Sequence, residues 1–568
     1  MNRHDSECND PAQSARNVYM GFAQAIVDQA VKWLDEDGVI RNPIDGGHDD
    51  RWEGGTAARF ACPAAILAAE YGRDDMVEPA SRALTQVITG VVQRALNDAP
   101  VRSRGLFDLV MKELVQACVM LKPMAPTQQH QQWADVLSAF PQDKYRCDHD
   151  IRLGRRPTNF AISAVVGEWF RHKYGFGGSR DWIETTLGDQ LRFFTDKGMY
   201  RDPHDPMLYD LMVRQNLNEL LWHGYDGGLR EKIETMLDVA DTQTLDMLSP
   251  CGYAPFGGRS NAMIHNEAMA IYCFERQASA SLSDVDRAGD FRCAARLSSD
   301  AVSKFIHSDP LRFIKNMFDP ITSHGKESSY GEYANYALLA ASLFARAALV
   351  AGDRSALGRV PADMPSRGKV STVHLWPAFH RTFATVGDTQ VEIDTRAQAS
   401  YDATGIGRFH RKGAPADLGL SMPISANPSY VLHDAQPGRA AAHGPCWKTR
   451  GGEWQSLAGL SDEIEDVTFT EIDRQADSLS WRLKWSLTSL AQLAVTSISQ
   501  TFTLSPGELC VQVEVDGLFD CLGWDVPCLV TDGSLCATTT IVDNCVKVTC
   551  DDWAFQVNMP APCSVTLE

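Results

Sequence analysis

The segment richest in side chains that could transfer protons or bind a substrate is DKGMYRDPHDPMLYDLMVRQNLNELLWHGYDGG, which contains two closely spaced prolines. Because proline disfavours the α-helical conformation of the residue before it, Asp202–Pro206 is predicted to form a tight turn, with a helix beginning near Met207. On that helix Tyr209 and Asn216 lie on the same face, and His204 lies just ahead of that face in the turn. A phenol, an amide and an imidazole that converge there could move a proton on a bound substrate. The structural alternative is a core tyrosine beside a surface histidine.

A glycine-rich loop precedes a second polar group in SPCGYAPFGGRSNAMIHNEAMAIYCFE. Asn261 and His265 share one helix face, and Arg259 stands just before them. A guanidinium, an amide and an imidazole at a helix amino terminus suit an anion, because free N–H groups and the helix dipole add to the attraction. Glu267 falls on another side of the helix, so this segment is not the paired-histidine motif of zinc proteases.

Two further segments place polar or aromatic groups at predicted helix starts. In RRPTNFAISAVVGEWFRHKYG, Thr158 is predicted to cap a helix, and Asn159 in its first turn either binds a substrate carboxylate or assists the cap. In HGKESSYGEYANYALLAASLFARAA, Tyr330 and Tyr333 precede an apolar helix, where tyrosines serve the core as often as chemistry. Two other residues in the polar segments are also expected to contact substrate: Arg214 and Tyr253.

These groups lie in a part of the chain whose apolar residues recur with helical periodicity up to about residue 350, with short breaks rich in Gly, Pro or Asp. Successive helical pairs predict hairpins packed side by side, which can close into an (α/α) toroid. The predicted helices are Val18–Asp35, Gly55–Tyr71, Met76–Asn97, Gly105–Leu121, Thr127–Phe140, Thr158–Tyr174, Ser179–Thr195, Met207–Gly224, Leu229–Val239, Asn261–Glu275, Val285–Ile306 and Tyr330–Ala351.

The pattern changes after a stretch over 352–369 that is rich in Pro, Gly and Arg. Alternating runs rich in Val, Thr, Ser and Leu then predict antiparallel strands that pack as a β-sandwich. These runs are FATVGDTQVEIDT, SLSWRLKWSL, AVTSISQTFTL, LCVQVEVDGLF and TTTIVDNCVKVTC. The predicted domains are an (α/α) toroid over 1–351, a linker over 352–370 and an antiparallel β-sandwich over 371–568.

Composition narrows the classes of partner. A net charge of −20 opposes the phosphate backbone of nucleic acid, and no run approaches the roughly 20 apolar residues of a membrane span. The 15 cysteines are odd in number and form no CxxC pair, which disfavours a zinc knuckle and a fully paired disulfide framework. With no apolar signal segment at the start, the chain as given is expected in the cytoplasm, or secreted if a leader was removed. No cofactor is expected, and a structural divalent cation in the sandwich stays open.

These motifs resemble the polysaccharide lyases built from an (α/α) toroid and a following β-sandwich, the group of hyaluronate and chondroitin lyases, heparinases and some alginate lyases. Asn159, the element GMYRDPHDPMLYD and Tyr330 in SSYGEY are similar to the Asn, His and Tyr segments of that group. YDATGIGRFHR is similar to a sandwich turn that reaches the cleft. The resemblance implies β-elimination on an anionic, uronic-acid-containing polysaccharide or oligosaccharide, which leaves a 4,5-unsaturated uronate.

Such an elimination requires that the sugar carboxylate be neutralised before the weakly acidic C5 proton can leave. The residues expected in these roles are Asn159, Asn261 and Arg259 for neutralisation, and His204, His265, Tyr209 and Tyr330 for proton transfer.

Two other functions remain open on the same predicted ring. A glycoside hydrolase would use paired carboxylates, drawn from Asp210 or Glu219 with Glu267 or Glu332. A non-catalytic glycan-binding protein would only hold the sugar in an aromatic cleft. Nucleotide-dependent and serine-hydrolase chemistry lack support, because the sequence contains no P-loop, no GxGxxG after a strand and no GxSxG elbow.

Overall fold

The computed structural model describes residues 11–43, 54–98, 105–260, 263–281, 283–307, 311, 333–351, 364, 369–420, 423–427, 439–488, 494–528, 536–560 and 565. A helical half is followed by a half of antiparallel sheets, as predicted. The α-helices are α1 Pro11–Ala30, α2 Gly55–Tyr71, α3 Val77–Thr85, α4 Gln93–Leu96, α5 Leu106–Leu121, α6 Thr127–Ser138, α7 Arg146–Arg152, α8 Phe160–Lys173, α9 Arg180–Leu191, α10 Met207–Trp222, α11 Arg230–Met247, α12 Ile264–Ala280, α13 Val285–Ile306 and α14 Tyr333–Ala351.

The helices differ from the predicted ones in a few places. The segment predicted as one helix over Met76–Asn97 is divided into α3, a π-helix at Gln86–Val92 and α4. Helix α11 runs on to Met247, past the predicted end. Helix α7 was not predicted, because it buries only Cys147 and Asp148 and so has little apolar periodicity.

An inner ring of helices forms the centre of the helical half. Helices α2, α5, α8, α10, α12 and α14 each pack on the next, and α14 returns to α2. An outer helix brings the chain back before each next inner one, as α9 does for α8 and α13 for α12. The amino termini of the inner helices therefore lie at the same end of the ring. That end receives the polar segments that precede α8, α10 and α12.

Helix α14 is the one described helix that is apolar and long enough by composition to span a membrane. Its most apolar window is 94% buried inside the protein, where α1, α2 and α12 surround it. Its hydrophobicity is therefore that of a core helix.

A buried ion network crosses the ring. The Arg346 guanidinium of α14 contacts Glu219 Oε1 of α10 at 2.6 Å and Glu113 Oε1 of α5 at 3.0 Å. Lys112 Nζ, also on α5, contacts Glu219 Oε2 at 3.0 Å. All these side chains are buried. The network joins three inner helices in a region where an unpaired charge would be strongly destabilising.

The second half contains antiparallel sheets around an apolar core. Buried residues of one sheet, such as Val391 and Ile393, pack with Trp481 and Phe502 of another, which is the packing of a β-sandwich. The sheet orders are β1-β2-β3-β4, β10-β9-β8-β7, β11-β5-β6 and β12-β13-β14. The strands are β1 Val370–Leu375, β2 Arg381–Val386, β3 Thr389–Asp394, β4 Gly405–Arg411, β5 Gly444–Thr449, β6 Trp454–Ser456, β7 Ile464–Arg474, β8 Leu479–Leu487, β9 Val495–Ser505, β10 Glu508–Gly517, β11 Phe519–Asp525, β12 Thr538–Val542, β13 Cys545–Cys550 and β14 Trp553–Asn558.

A buried histidine makes this half sensitive to acid. The His443 ring lies 5.3 Å from the Phe555 ring, and burial lowers the pKa of His443 to about 4. In the unfolded chain the pKa is about 6.5, so the folded state binds fewer protons between these values. The stability that the neutral ring contributes is complete above pH of about 6.5 and is lost as the pH falls toward about 4. We expect a loss of about 3 kcal/mol from this group.

Urea unfolding of the wild type and of His443→Gln at pH values across this window measures the effect. The glutamine is neutral throughout, so its free energy of unfolding should fall less steeply. Parallel curves for the two proteins would contradict the assignment.

Candidate functional site

Asp202 joins two polar segments at the amino-terminal end of the inner ring. Its Oδ1 accepts the backbone N–H of Asn159 at 2.9 Å, and its Oδ2 accepts Arg259 Nη2 at 2.8 Å. The side chain is 1% exposed. Burial raises the pKa of Asp202, against the opposing effects of the Asn159 N–H and the Arg259 guanidinium. One carboxylate thus holds the start of α8 beside the loop that precedes α12.

The predicted turn before α10 is present and α10 begins at Met207, as the prolines indicated. Within the turn His204 and Asp205 adopt left-handed backbone conformations, with φ of 70° and 47°. Arg201 Nη2 contacts Asp205 Oδ2 at 2.7 Å, which anchors the turn. The His204 side chain is exposed at this end of the ring.

Asn159 itself occupies the N-cap position of α8, which corrects the prediction of Thr158 as the cap. The Asn159 side chain makes no capping hydrogen bond; its Nδ2 instead donates to Met212 Sδ at 3.2 Å. A thioether is a weak acceptor. Asn159 is 3% exposed. A stronger acceptor could therefore replace the Met212 thioether as the partner of its amide.

Tyr209 and Arg259 stack at the centre of the site. The Arg259 guanidinium carbon lies 4.8 Å from the centre of the Tyr209 ring. The Tyr209 hydroxyl is 3.3 Å from Ser260 Oγ. Tyr209 is 7% exposed, whereas the Arg259 side chain stacked on it is 24% exposed. A guanidinium in this position can also bind an anionic ligand.

His265 lies at the start of α12, one residue from Asn266, whose Nδ2 donates to the Ser260 carbonyl at 3.4 Å. The His265 ring stacks on the ring of Tyr336 of α14, with 5.2 Å between ring centres and 18° between ring planes. It is 1% exposed. The imidazole is thus buried between α12 and α14.

Several predicted residues are turned away from this cluster. Asn216 is two turns beyond Tyr209 on α10, and its Oδ1 accepts Lys112 Nζ at 2.7 Å inside the ring. The Arg214 guanidinium is 2% exposed and is held by Asp210, at 2.7 Å, and by Asp241. We therefore leave both out of the proposed site.

The remaining predicted residues fall into two groups. Tyr253 is buried with its ring 6.1 Å from that of His410, and the Tyr333 hydroxyl donates to the Leu311 carbonyl. These contacts place both inside the protein and outside the cluster around Asp202. Asn261, Tyr330 and Glu332 lie outside the described residues.

The β half holds the loop that carries Arg259. Glu392 Oε1 accepts the Phe256 N–H at 3.1 Å, and Arg381 Nε donates to the Phe256 carbonyl at 3.0 Å. The Phe256 ring lies between two guanidinium groups, with centre-to-carbon distances of 4.9 Å for Arg381 and 5.0 Å for Arg408. The conformation of this loop therefore depends on strands β2, β3 and β4.

A turn of the β half reaches the same loop, as expected for YDATGIGRFHR. Asp402 Oδ2 accepts the Gly258 N–H at 2.8 Å and Arg381 Nη2 at 2.7 Å. Gln398 Nε2 donates to the His204 carbonyl. Gly258 has φ of 72°, and a Cβ there would lie 2.8 Å from Pro206 Cβ, so only glycine fits. Sequence reasoning missed Asp402 and Gln398 as individual residues, and no local pattern singles them out.

The three described carboxylates that a hydrolase could use are buried. Burial raises the pKa of Asp210, which is paired with Arg214. Burial acts to raise the pKa of Glu219, but the charges of Arg346 and Lys112 outweigh it and hold that pKa far below its usual value. Glu267 is fully buried and accepts the Ala254 N–H at 3.0 Å. A general acid requires a raised pKa and access to substrate, and none of these three described residues combines both.

Comparisons with known proteins find similarity in structure only. No family model matches the sequence, and no curated protein matches it. The chondroitin AC lyase of Streptomyces coelicolor A3, solved with chondroitin sulphate, has a TM-score of 0.46 and 10% identity over 95% of this chain and 87% of that chain. Heparinase III has a TM-score of 0.42 and 9% identity over 98% and 92% of the chains.

An α-1,6-mannanase, GH76A of Salegentibacter sp. HEL1_6, has a TM-score of 0.38 and 13% identity over 58% of this chain and 99% of that chain. The two lyases thus extend over both halves of this chain, and the mannanase over little more than half of it. Similarity of this degree concerns the layout of helices and strands, so the reaction is argued below from the site alone.

Proposed function

We propose that this protein is a polysaccharide lyase that cleaves a uronic-acid-containing glycan by β-elimination. The observation that carries the proposal is the Arg259 guanidinium, whose carbon lies 4.8 Å from the centre of the Tyr209 ring. This guanidinium donates to Asp202, which also accepts the Asn159 N–H. In the proposed reaction, this arrangement would put a carboxylate-binding cation directly beside the group that transfers the proton.

Arg259 and Asn159 would neutralise the sugar carboxylate. Arginine binds carboxylates in a bidentate manner, and Arg259 already binds the Asp202 carboxylate at 2.8 Å. The substrate carboxylate would take the place of Asp202 on this guanidinium. Asp202 is prepared for that exchange because burial raises its pKa, which lowers the cost of protonating it when the arginine leaves. The Asn159 amide would exchange its thioether partner for a carboxylate oxygen.

Tyr209 would then transfer the proton. With the carboxylate neutralised, the C5 proton becomes acidic enough to be taken by a phenolate or an imidazole. The Tyr209 hydroxyl, which lies beside Ser260 Oγ while the ring lies under the Arg259 guanidinium, would be that base. His204, exposed on the turn, or His265, at the start of α12, would supply the second proton-transferring group that the leaving oxygen or the base requires.

A panel of uronic-acid glycans tests the proposal. Incubation with alginate, hyaluronan and heparan sulfate, followed by ultraviolet absorbance, detects the conjugated double bond of a 4,5-unsaturated uronate. Neutral α-1,6-mannan, read by the appearance of reducing ends, is the control substrate. We expect absorbance to rise with at least one anionic glycan.

The other two functions give different results in the same assay. New reducing ends without absorbance would identify a hydrolase and overturn the elimination. Binding to a glycan with neither signal would identify a non-catalytic binding protein. The buried state of Asp210, Glu219 and Glu267 gives the hydrolase no specific support.

A further inference from the structure

Two arginines flank a phenylalanine on the surface beside the candidate site. The guanidinium carbon of Arg156 lies 4.3 Å from the centre of the Phe193 ring, and that of Arg192 lies 4.9 Å from it. Both arginines are exposed, and Phe193 is half-buried. We call these three residues the Arg156–Phe193–Arg192 patch.

The patch is continuous with the site. The Phe193 carbonyl accepts the Arg201 N–H at 3.0 Å, and Arg201 directly precedes Asp202. Arg156 stands three residues before Asn159 and acts to lower the pKa of Asp202, as Arg259 does. A ligand bound at Arg259 could therefore extend over this patch.

No acidic residue that the structure describes pairs with either guanidinium group of the patch. Nearby Arg152 and Arg146 are paired with Asp148, at 2.7 Å, and with Asp150, at 3.3 Å. Within the described part of the chain, neither Arg156 nor Arg192 forms an ion pair. Because the protein carries a net charge of −20, two such cations form a local positive patch on an acidic surface.

We propose that the Arg156–Phe193–Arg192 patch binds a second acidic group of the same glycan. The ligand would be a polyanionic chain that carries carboxylate or sulfate groups on sugars beyond the one at Arg259. The stacked ring holds both guanidinium groups in place before the ligand arrives, which reduces the entropy lost on binding. Because a guanidinium donates in a fork to carboxylate or sulfate, such groups would be preferred to hydroxyls. This inference rests on the proposed function for the location of the reacting sugar.

Dextran sulfate and unsulfated dextran test the patch, since they share one backbone and differ in charge. Binding is measured by calorimetry for the wild type and for Arg156→Ala and Arg192→Ala. Arg450→Ala, on the turn between β5 and β6, removes the same charge from an exposed position elsewhere. We expect each patch variant to bind dextran sulfate about two- to fivefold more weakly, and the wild type to bind more weakly as salt rises.

The outcomes separate this inference from the lyase reaction. Equal affinities for Arg156→Ala, Arg192→Ala and Arg450→Ala would overturn the patch, even if unsaturated products form from uronic-acid glycans. Equal binding of both dextrans by the wild type would overturn it as well. Conversely, weaker binding by the two patch variants together with a silent elimination assay would support the patch and refute the proposed reaction.

Discussion

Replacing Arg346 by alanine is expected to lower the free energy of unfolding by about 3–5 kcal/mol. Arg346 contacts Glu219 at 2.6 Å and Glu113 at 3.0 Å, and all three side chains are at most 2% exposed. Removing the guanidinium leaves Glu113 without this cation and Glu219 with Lys112 alone, in an interior that solvates charge poorly. Equilibrium urea unfolding, followed by far-ultraviolet circular dichroism, measures the loss.

Arg82→Ala is the matched control. Arg82 also pairs with a glutamate, Glu78, at 3.3 Å, but Glu78 is 73% exposed and the pair lies on the surface of α3. Exposed pairs of this kind contribute well under about 1 kcal/mol. If Arg346→Ala were no less stable than Arg82→Ala, the network would not be the strong link across the ring that its burial indicates.

Tyr209→Phe is expected to lower turnover of a susceptible uronic-acid glycan by about 10²–10⁴-fold. The substitution removes only the hydroxyl, which lies 3.3 Å from Ser260 Oγ, and retains the ring under Arg259. The carboxylate-binding cation therefore stays in place, and KM should change little compared with kcat. Initial rates from the absorbance of the unsaturated product give both constants.

Tyr200→Phe provides the control for this prediction. Tyr200 is another buried tyrosine of the same segment, and its hydroxyl donates to Gln190 Oε1 at 2.8 Å, away from Arg259. Its loss should leave kcat within a few-fold of the wild type. A Tyr209→Phe protein with wild-type kcat would exclude the phenol from proton transfer and leave that role to the histidines.

The two halves of the protein contribute to one site. The loop that carries Arg259 is held at Phe256 and Gly258 by Arg381, Glu392 and Asp402 of the β half. A shift in the sheet of β1 to β4 would therefore move the guanidinium relative to Tyr209. This dependence explains why the helical half alone does not define the geometry of the candidate site.

Local sequence signals were sufficient for the order of the halves and for much of the turn before α10. Periodicity distinguishes a helix from a strand within a few residues, and proline acts on its immediate neighbour. The start of α10 at Met207 and the position of Asn159 at the start of α8 followed from such signals. Helix α7 has no such signal, because it is short and buries only Cys147 and Asp148.

By itself, the sequence determined a helical half followed by antiparallel sheets, and it singled out Asn159, Tyr209 and Arg259 as polar groups near helix starts. Tertiary structure alone decided which of the polar residues meet. Asp202 binds the N–H of a residue 43 positions earlier, and Asp402 binds that of a residue 144 positions earlier. Arg214 and Asn216 are as polar as their neighbours but face the interior, because their partners Asp241 and Lys112 lie on other helices. Contacts between residues so far apart depend on how the elements pack, and no local pattern records that packing.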